Sequence, residues 1–100
     1  MDSKEILQAI DIYRRQFERN CVCKMEFPHN EHIDLDYLER DKIAALRHCH
    51  RMLDDIEQFV KEGRIDKAYG WLCFIQGCLW MSGLRTLNEL KNHNSLGPAL

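Results

Sequence analysis

The sequence predicts an all-α protein, a small domain of three to four helices built on a long helical hairpin. Apolar residues recur through most of the chain with the roughly 3.6-residue period of an amphipathic helix. Capping residues and glycines stand at the ends of these stretches, and no pair of segments alternates as paired strands do. A length of 100 residues is typical of one domain, so residues 1–100 are predicted to form a single domain.

The first helix is predicted over residues 2–20. Asp2 and Glu5 have the spacing of a capping box, in which each side chain accepts a hydrogen bond from the other's backbone amide. One narrow apolar stripe follows, formed by Ile6, Ile10, Tyr13 and Phe17. Residues 21–33 break this period, and Pro28 disfavours helical angles in the residue before it, so an irregular connection is predicted there.

A long second helix is predicted over residues 35–62, with Asp34 or Asp36 as its N-cap. Gly63 stands where a left-handed residue would end it. Its apolar stripe is regular and comprises Leu35, Leu38, Ala45, Leu46, Cys49, Leu53, Ile56 and Val60. Such a stripe buries one side of a helix against its neighbours.

The third helix is predicted over residues 66–82, with Asp66 as its N-cap. Because only residues 63–65 separate it from the second helix, the two should pack as an antiparallel hairpin. Its apolar side chains point in nearly every direction. Three helices cannot easily enclose such a helix, so we predict a homo-oligomer. Gly70 and Gly77 share one side of it, which suits either a tight crossing within the chain or a subunit contact.

A short fourth helix is predicted over residues 86–93, because Thr86 and Glu89 have capping-box spacing. It is expected to end at the polar 92–94 segment and the Gly97-Pro98 dipeptide. It is the shortest of the predicted helices.

Composition and charge argue against several classes of protein. Charged residues make up 30% of the chain and the formal net charge is −2, so no strong field marks a nucleic-acid-binding protein. No apolar run reaches the roughly 18 residues of a membrane-spanning helix, and the charged N-terminal segment does not resemble a signal peptide. The absence of such a run predicts no membrane partner. Five cysteines in a chain without an export signal favour free thiols and a reducing cytoplasm.

Residues 21–33 contain a candidate zinc site. Its four side chains are Cys21, Cys23, His29 and His32. Zinc takes four nitrogen and sulfur ligands in a tetrahedron, and a flexible loop can supply them. One residue separates the two cysteines, whereas about two to four residues usually separate a pair of zinc-binding cysteines. The spacing of the two histidines matches no standard zinc finger either. The alternative is two half-buried cysteines and two surface histidines, with no cofactor.

Other cysteines and histidines have structural interpretations. His48 and His50 point to different sides of a helix, with Cys49 in the apolar stripe between them. This pattern favours two surface histidines around a core cysteine. Cys73 and Cys78 are predicted to be small core residues.

Two polar residues interrupt the apolar surfaces. Lys42 falls inside the stripe of the second helix, and Gln76 lies within the third. Burying an amide without a partner costs about 2–7 kcal/mol. Either these residues find partners inside the chain, with Lys42 extending its amine to water, or they line a pocket that a ligand or subunit completes.

Enzyme signatures are missing from the sequence. There is no glycine-rich phosphate loop, no Gly-x-Ser-x-Gly nucleophile elbow and no His-Glu-x-x-His zinc motif. The protein is therefore predicted not to be an enzyme.

The C-terminal half carries a distinctive string of residues. It reads Lys67-Ala68-x-x-Trp71-Leu72-x-Phe74-Ile75-Gln76-Gly77-x-Leu79-Trp80, followed by Leu87-x-Glu89-Leu90-Lys91-x-His93-Asn94. This string resembles a family of short uncharacterised helical proteins that are common in bacteriophage genomes, and the resemblance implies no particular activity. In size and helical make-up the chain is also similar to small phage proteins that blunt bacterial immunity. Some of those sequester cyclic nucleotides in oligomeric pockets, and others bind a defence enzyme.

Three hypotheses follow from these features. The first is a non-catalytic, phage-type accessory protein that binds a host component, of the kind that antagonises immunity. The second is a pocket that sequesters a small ligand such as a (cyclic) nucleotide, with aromatic rings stacking the base and arginines holding phosphates. The third is a zinc-stabilised helical module. The candidate binding residues are Tyr69, Trp71, Phe74, Gln76, Trp80, Lys42, Arg14, Arg15 and Arg64. For Arg14 and Arg15 a solvated surface is the favoured interpretation.

Overall fold

The computed structural model describes residues 1–94, and the predicted all-α class is confirmed. The Gly97-Pro98 end of the last predicted helix lies outside the described residues. The helices are α1 (Ser3–Arg19), α2 (Leu38–Lys61), α3 (Ile65–Met81) and α4 (Leu87–Asn94). Within residues 1–94, no helix is long and apolar enough to cross a membrane.

Capping interactions fix several of the predicted helix ends. The Glu5 N–H donates to Asp2 Oδ1 at 2.9 Å, and the Asp2 N–H donates to Glu5 Oε1 at 3.0 Å. Thr86 and Glu89 form the same reciprocal pair at the start of α4, at 3.1 and 3.0 Å. Both predicted capping boxes are confirmed, and each satisfies two amide groups. Gly63 follows α2 with a left-handed φ of 76°, also as predicted.

The start of α2 differs from the prediction. Asp34 accepts a hydrogen bond from the Asp36 N–H at 3.0 Å and caps a short 3₁₀ turn over Leu35–Tyr37, so the α-helix begins only at Leu38. Leu35 is 79% exposed and Leu38 is 46% exposed, so their assignment to the buried stripe is wrong. A 3₁₀ turn takes about three residues rather than 3.6, which shifts Leu35 out of phase with the stripe.

The start of α3 also differs. It begins at Ile65 with Arg64 as a cap that makes no side-chain hydrogen bond, and the predicted cap Asp66 is already inside the helix. The Arg64 N–H donates to the Phe59 carbonyl at 2.8 Å, while the Arg64 carbonyl accepts from the Ala68 N–H at 3.0 Å. One residue therefore closes α2 and opens α3, which leaves no place for a separate capping residue.

The core forms where α1 packs against the hairpin of α2 and α3. The predicted stripe of α1 is buried throughout, with no member more than 1% exposed. The core comprises Ile6, Ala9, Ile10, Tyr13 and Phe17 from α1, Leu46, Cys49, Met52, Leu53 and Ile56 from α2, Ala68, Leu72, Ile75 and Leu79 from α3, and Leu90 from α4. Only one side of α3 is used in this way, although its apolar residues continue around the helix.

The irregular connection predicted at residues 21–33 is confirmed, and it lies along α2. The Phe27 N–H donates to His48 Nδ1 at 3.2 Å, and His50 Nδ1 donates to the Val22 carbonyl at 2.7 Å. His50 is only 4% exposed, so its prediction as a surface histidine is wrong. The connection covers it, because a segment without regular secondary structure must find partners for its backbone groups elsewhere.

Candidate binding groove

An open groove runs between α2, α3 and the connection at residues 21–33. Its volume is about 770 Å³. We call it the aromatic groove, and its lining consists of Phe27, Pro28, His29, Glu31, His32, Ile33, Ala45, His48, Cys49, Met52, Asp55, Phe59, Lys67, Trp71, Phe74 and Cys78. Apolar and aromatic side chains with a few polar groups are the usual lining of a binding site.

Trp71 and Phe74 form the α3 wall of the aromatic groove. Their rings meet edge to face, with centroids 5.6 Å apart and planes at 82°. Trp71 is 39% exposed and Phe74 is 51% exposed. Two of the predicted binding residues therefore lie together on one open surface, where the chain itself covers them only in part.

Phe59 adds a third ring from α2, next to two cations. Lys67 Nζ lies 4.7 Å from the Phe59 ring centroid, and Arg64 Cζ lies 5.2 Å from it. Both distances are in the cation–π range. Arg64 also forms an ion pair with Glu62 at 3.5 Å. This part of the groove therefore presents positive charge, chiefly from Lys67, beside an apolar surface.

His48 lines the aromatic groove in its neutral form. Burial lowers the pKa of His48, and the nearby Glu26 carboxylate acts in the opposite direction. Its Nδ1 accepts the Phe27 N–H at 3.2 Å, which requires a lone pair on that nitrogen. His48 therefore anchors the connection to α2.

The thiols of Cys49 and Cys78 are hydrogen-bonded to each other where α2 meets α3 in the groove. This bond and burial raise the pKa of Cys49, and the same bond lowers the pKa of Cys78. Cys49 is buried, as predicted, and Cys78 is half-buried. Cys73, also predicted to be a core residue, is exposed instead, because it lies on the side of α3 that faces away from the other helices.

The structure does not bring together the four predicted zinc ligands, Cys21, Cys23, His29 and His32. Within residues 1–94, ligand atoms that could share one ion occur together only at Glu26, His29 and His48. His29 is thus the single member of the predicted set in that group, and Cys21 and Cys23 are exposed elsewhere. The connection runs along α2 rather than folding back on itself, which keeps its two ends apart.

The group of Glu26, His29 and His48 is already engaged in contacts within the chain. His29 Nε2 lies 3.2 Å from Glu26 Oε1, and the Arg51 guanidinium pairs with the other oxygen of Glu26. His48 Nδ1 accepts from Phe27, as described above. Glu26 and His48 thus connect residues 21–33 to α2 through Arg51 and Phe27, and we assign this group to holding the connection in place.

Gln76 is buried and satisfied by partners within the chain. Gln76 Nε2 donates to Tyr13 Oη at 2.9 Å and to Asn94 Oδ1 at 2.6 Å. Since the Tyr13 oxygen accepts from Gln76, its own O–H is free to donate to His93 Nδ1 at 2.9 Å. Of the two alternatives for Gln76, the structure therefore shows partners inside the chain. Gln76 does not line the aromatic groove.

Acidification should destabilise the fold through His93. Burial lowers the pKa of His93, aided by Arg85 and opposed by Glu89. The unfolded chain therefore binds a proton at higher pH than the folded chain, so the free energy of unfolding should hold above about pH 6.5 and fall as the pH decreases below it. His93→Gln, which keeps an acceptor for Tyr13, should flatten this fall in urea titrations at several pH values. Part of the pH dependence should remain in this variant, because the pKa of His48 is also lowered. If His93→Gln had the same pH dependence of unfolding as the wild type, His93 would not be its source.

The predicted cations lie on the surface and are paired. Lys42 Nζ reaches an acidic side chain of the preceding turn at 3.1 Å with 32% of its side chain exposed, as expected for an amine that extends to water. Arg14 of α1 pairs with Asp54 of α2 at 3.1 Å, and Arg15 pairs within its own helix. Neither these three residues nor Arg64 line the aromatic groove.

The side of α3 that faces away from the core is uncovered. We call it the outer face of α3, and it comprises Tyr69, Gly70, Cys73, Gly77, Trp80 and Met81. Tyr69 is 40% exposed and Trp80 is 48% exposed, and no atom lies within 4 Å of where a Cβ would stand on Gly70 or Gly77. A tight crossing within the described chain is therefore excluded as the reason for these glycines. Each costs a helix about 1 kcal/mol relative to alanine.

Much of the aromatic groove does not follow from the sequence pattern. Phe27 and Pro28 lie in the connection, where no periodicity indicates which side chains are covered. Met52 and Phe59 carried a usable signal, because they widen the apolar stripe of α2 beyond the narrow band that one neighbouring helix covers. Lys67 carried no signal distinct from any other surface lysine.

Comparison with models of protein families finds no match to this chain. Comparisons with curated proteins and with solved structures find none either. The aromatic groove and the outer face of α3 are the surfaces whose geometry indicates a function.

Proposed function

We propose that this protein is a non-catalytic, phage-type accessory protein that acts in the cytoplasm by binding a host component in the aromatic groove. One observation carries the proposal. Trp71 and Phe74 remain 39% and 51% exposed on an open and largely apolar groove. Exposed aromatic residues that cluster in a groove are typical anchors of protein interfaces.

An apolar segment of a host protein with an acidic group near one end fits this groove best. The rings of Trp71, Phe74 and Phe27 offer apolar contacts, and Lys67 supplies a positive charge beside Phe59. Amphipathic helices bind grooves of this kind through apolar anchors at helical spacing. A bound segment would cover the rings that the chain leaves half-exposed.

Photo-crosslinking in host cells identifies the partner. A benzophenone analogue of phenylalanine placed at position 74 should form an adduct with one host protein. The same analogue at Leu7, an exposed position on α1 (37% exposed), should not form it. Adducts that are identical at both positions, or absent at position 74, would contradict a binding role for the groove.

Trp71→Ala should weaken binding of that partner by roughly thirtyfold or more, the loss expected for a central aromatic anchor. Ile43→Ala is the matched control, since Ile43 is 47% exposed and lies outside the groove lining. It should leave the affinity unchanged. Isothermal titration of the identified partner measures both variants, and equal affinities would exclude Trp71 as an anchor.

A pocket that sequesters a small ligand such as a (cyclic) nucleotide is the second candidate. A volume of about 770 Å³ lies within the range of roughly 300–1,000 Å³ for small-molecule sites, and the exposed rings suit stacking of a base. Lys67 is the one lysine or arginine that lines the groove within residues 1–94. Nucleotide mixtures should then raise the melting temperature by mass action, and Lys67→Gln should remove that shift. A protein-binding antagonist should show no shift.

Self-association is also part of the proposed function. The outer face of α3 leaves Tyr69, Trp80 and Met81 exposed by 40%, 48% and 77%, on a side of the helix that the groove does not include. Burial of this apolar surface in an oligomer would be favourable. Light scattering at micromolar concentration should give a mass above that of one chain.

A further inference from the structure

The outer face of α3 has the character of a helix interface rather than of a solvated surface. Between Ala68 and Met81 the helix contains no Asp, Glu, Lys or Arg. A helix on the surface of a soluble protein normally carries charged residues on its exposed side. Here that side instead carries half-exposed aromatic rings and two glycines.

A shallow channel runs along this face. Gly70 and Gly77 are separated by about two helical turns and so lie almost in line. Larger side chains flank the line on both sides, Met81 on one and Cys73 and Trp80 on the other. Since the space above both glycines is open, a ridge of side chains from another helix can enter it.

We infer that the outer face of α3 docks onto the same face of a second copy of this chain, so that the two α3 helices cross at the glycine channel. The ridge beside the channel of one copy enters the channel of the other, which allows the helix axes to approach more closely than larger side chains would permit. A two-fold axis makes such a patch meet itself. This interface rests on the self-association proposed above and specifies where it occurs.

A second copy suits this face because one surface supplies both the channel and the ridges. The absence of charge between residues 68 and 81 removes the like-charge repulsion that a self-contact would otherwise bring. Exposed parts of Tyr69 and Trp80 from two copies amount to roughly 400 Å². A specific interface needs about 1,000 Å², and Met81, 77% exposed, adds a large part of the rest.

Filling the channel tests the interface. Gly70→Leu combined with Gly77→Leu should weaken dimerisation by on the order of a hundredfold in sedimentation experiments from micromolar to millimolar concentration. Leucine is a better helix former than glycine, so circular dichroism should show that the helices are kept. Gln8→Leu places the same side chain on an exposed position of α1 and should leave dimerisation unchanged.

Cysteine oxidation gives a test that does not depend on the folding of the glycine variants. Cys73 lies beside the middle of the channel, so its two copies should face each other across the axis. Mild oxidation with diamide should join wild-type chains through a disulfide, as the two thiols give their hydrogens to diamide. Cys73→Ser should abolish this covalent dimer, whereas Cys21→Ser, which removes another exposed cysteine, should retain it.

These measurements separate the interface from the wider proposal. A wild-type chain that stays monomeric over the whole concentration range contradicts both self-association and this interface. A wild-type dimer that lacks either the sensitivity to the glycine replacements or the Cys73 link contradicts the interface alone. Partner binding in the aromatic groove is tested separately, by the Trp71→Ala variant.

Discussion

Leu72→Ala should lower the free energy of unfolding by about 3–4 kcal/mol, because the neighbours of a core leucine cannot close the cavity it leaves. Leu72 is fully buried, with 0% exposed, and it lies on the side of α3 that joins the common core with α1 and α2. Guanidinium denaturation at unchanged m-value measures the difference.

Phe74→Ala is the matched control on the same helix. Phe74 is 51% exposed on the groove side, so its removal should cost about 1 kcal/mol, roughly half the value for a fully buried side chain. The measurement uses dilute protein, so that self-association does not contribute to the free energy of unfolding. Equal losses for Leu72→Ala and Phe74→Ala would mean that α3 turns a different side to the core.

Gln76→Leu should lower the free energy of unfolding by about 1–3 kcal/mol, although it replaces a polar residue with an apolar one in the core. Gln76 Nε2 now donates to Tyr13 Oη at 2.9 Å and to Asn94 Oδ1 at 2.6 Å. Leucine would leave both oxygens without that donor, and a polar atom buried without a partner carries the cost of its lost hydration. A protein more stable than wild type would contradict this network.

A double-mutant cycle separates the hydrogen bond from other effects at this site. Tyr13→Phe removes the hydroxyl that Gln76 contacts, so its combination with Gln76→Leu should cost less than the sum of the single changes, by about 0.5–3 kcal/mol. Ile56→Val, a change in the core of α2 that removes no polar group, should instead add to Gln76→Leu within about 0.5 kcal/mol. Full additivity of the first pair would show that the bond contributes nothing.

Features that depend on a few consecutive residues could be predicted from the sequence. The capping boxes at Asp2 and Thr86 and the left-handed Gly63 were predicted correctly, because each is a local hydrogen-bond or dihedral requirement. The buried stripe of α1, including Tyr13 and Phe17, was also correct. A single narrow apolar stripe gives a helix only one side to bury.

Features that depend on a neighbouring segment were predicted less well. His50 looked like a surface residue, yet the connection covers it and accepts its N–H through the Val22 carbonyl. Leu35 looked like a core residue, yet a 3₁₀ turn places it in solvent. The zinc ligands predicted from Cys21 to His32 are separated because that segment runs along α2, a path that its own residues do not indicate.

The helices, their order and the hairpin follow from the sequence alone, since periodicity and short links act over a few residues. The same holds for the helix ends that are fixed by local caps, at Asp2, Gly63 and Thr86. Which side of α3 becomes core could not follow from it, because a helix that is apolar all around has no preferred side. Packing against α1 and α2 decided that Leu72 and Ile75 are buried while Trp71, Phe74 and Trp80 stay half-exposed. Tertiary structure thereby created both the aromatic groove and the open outer face of α3.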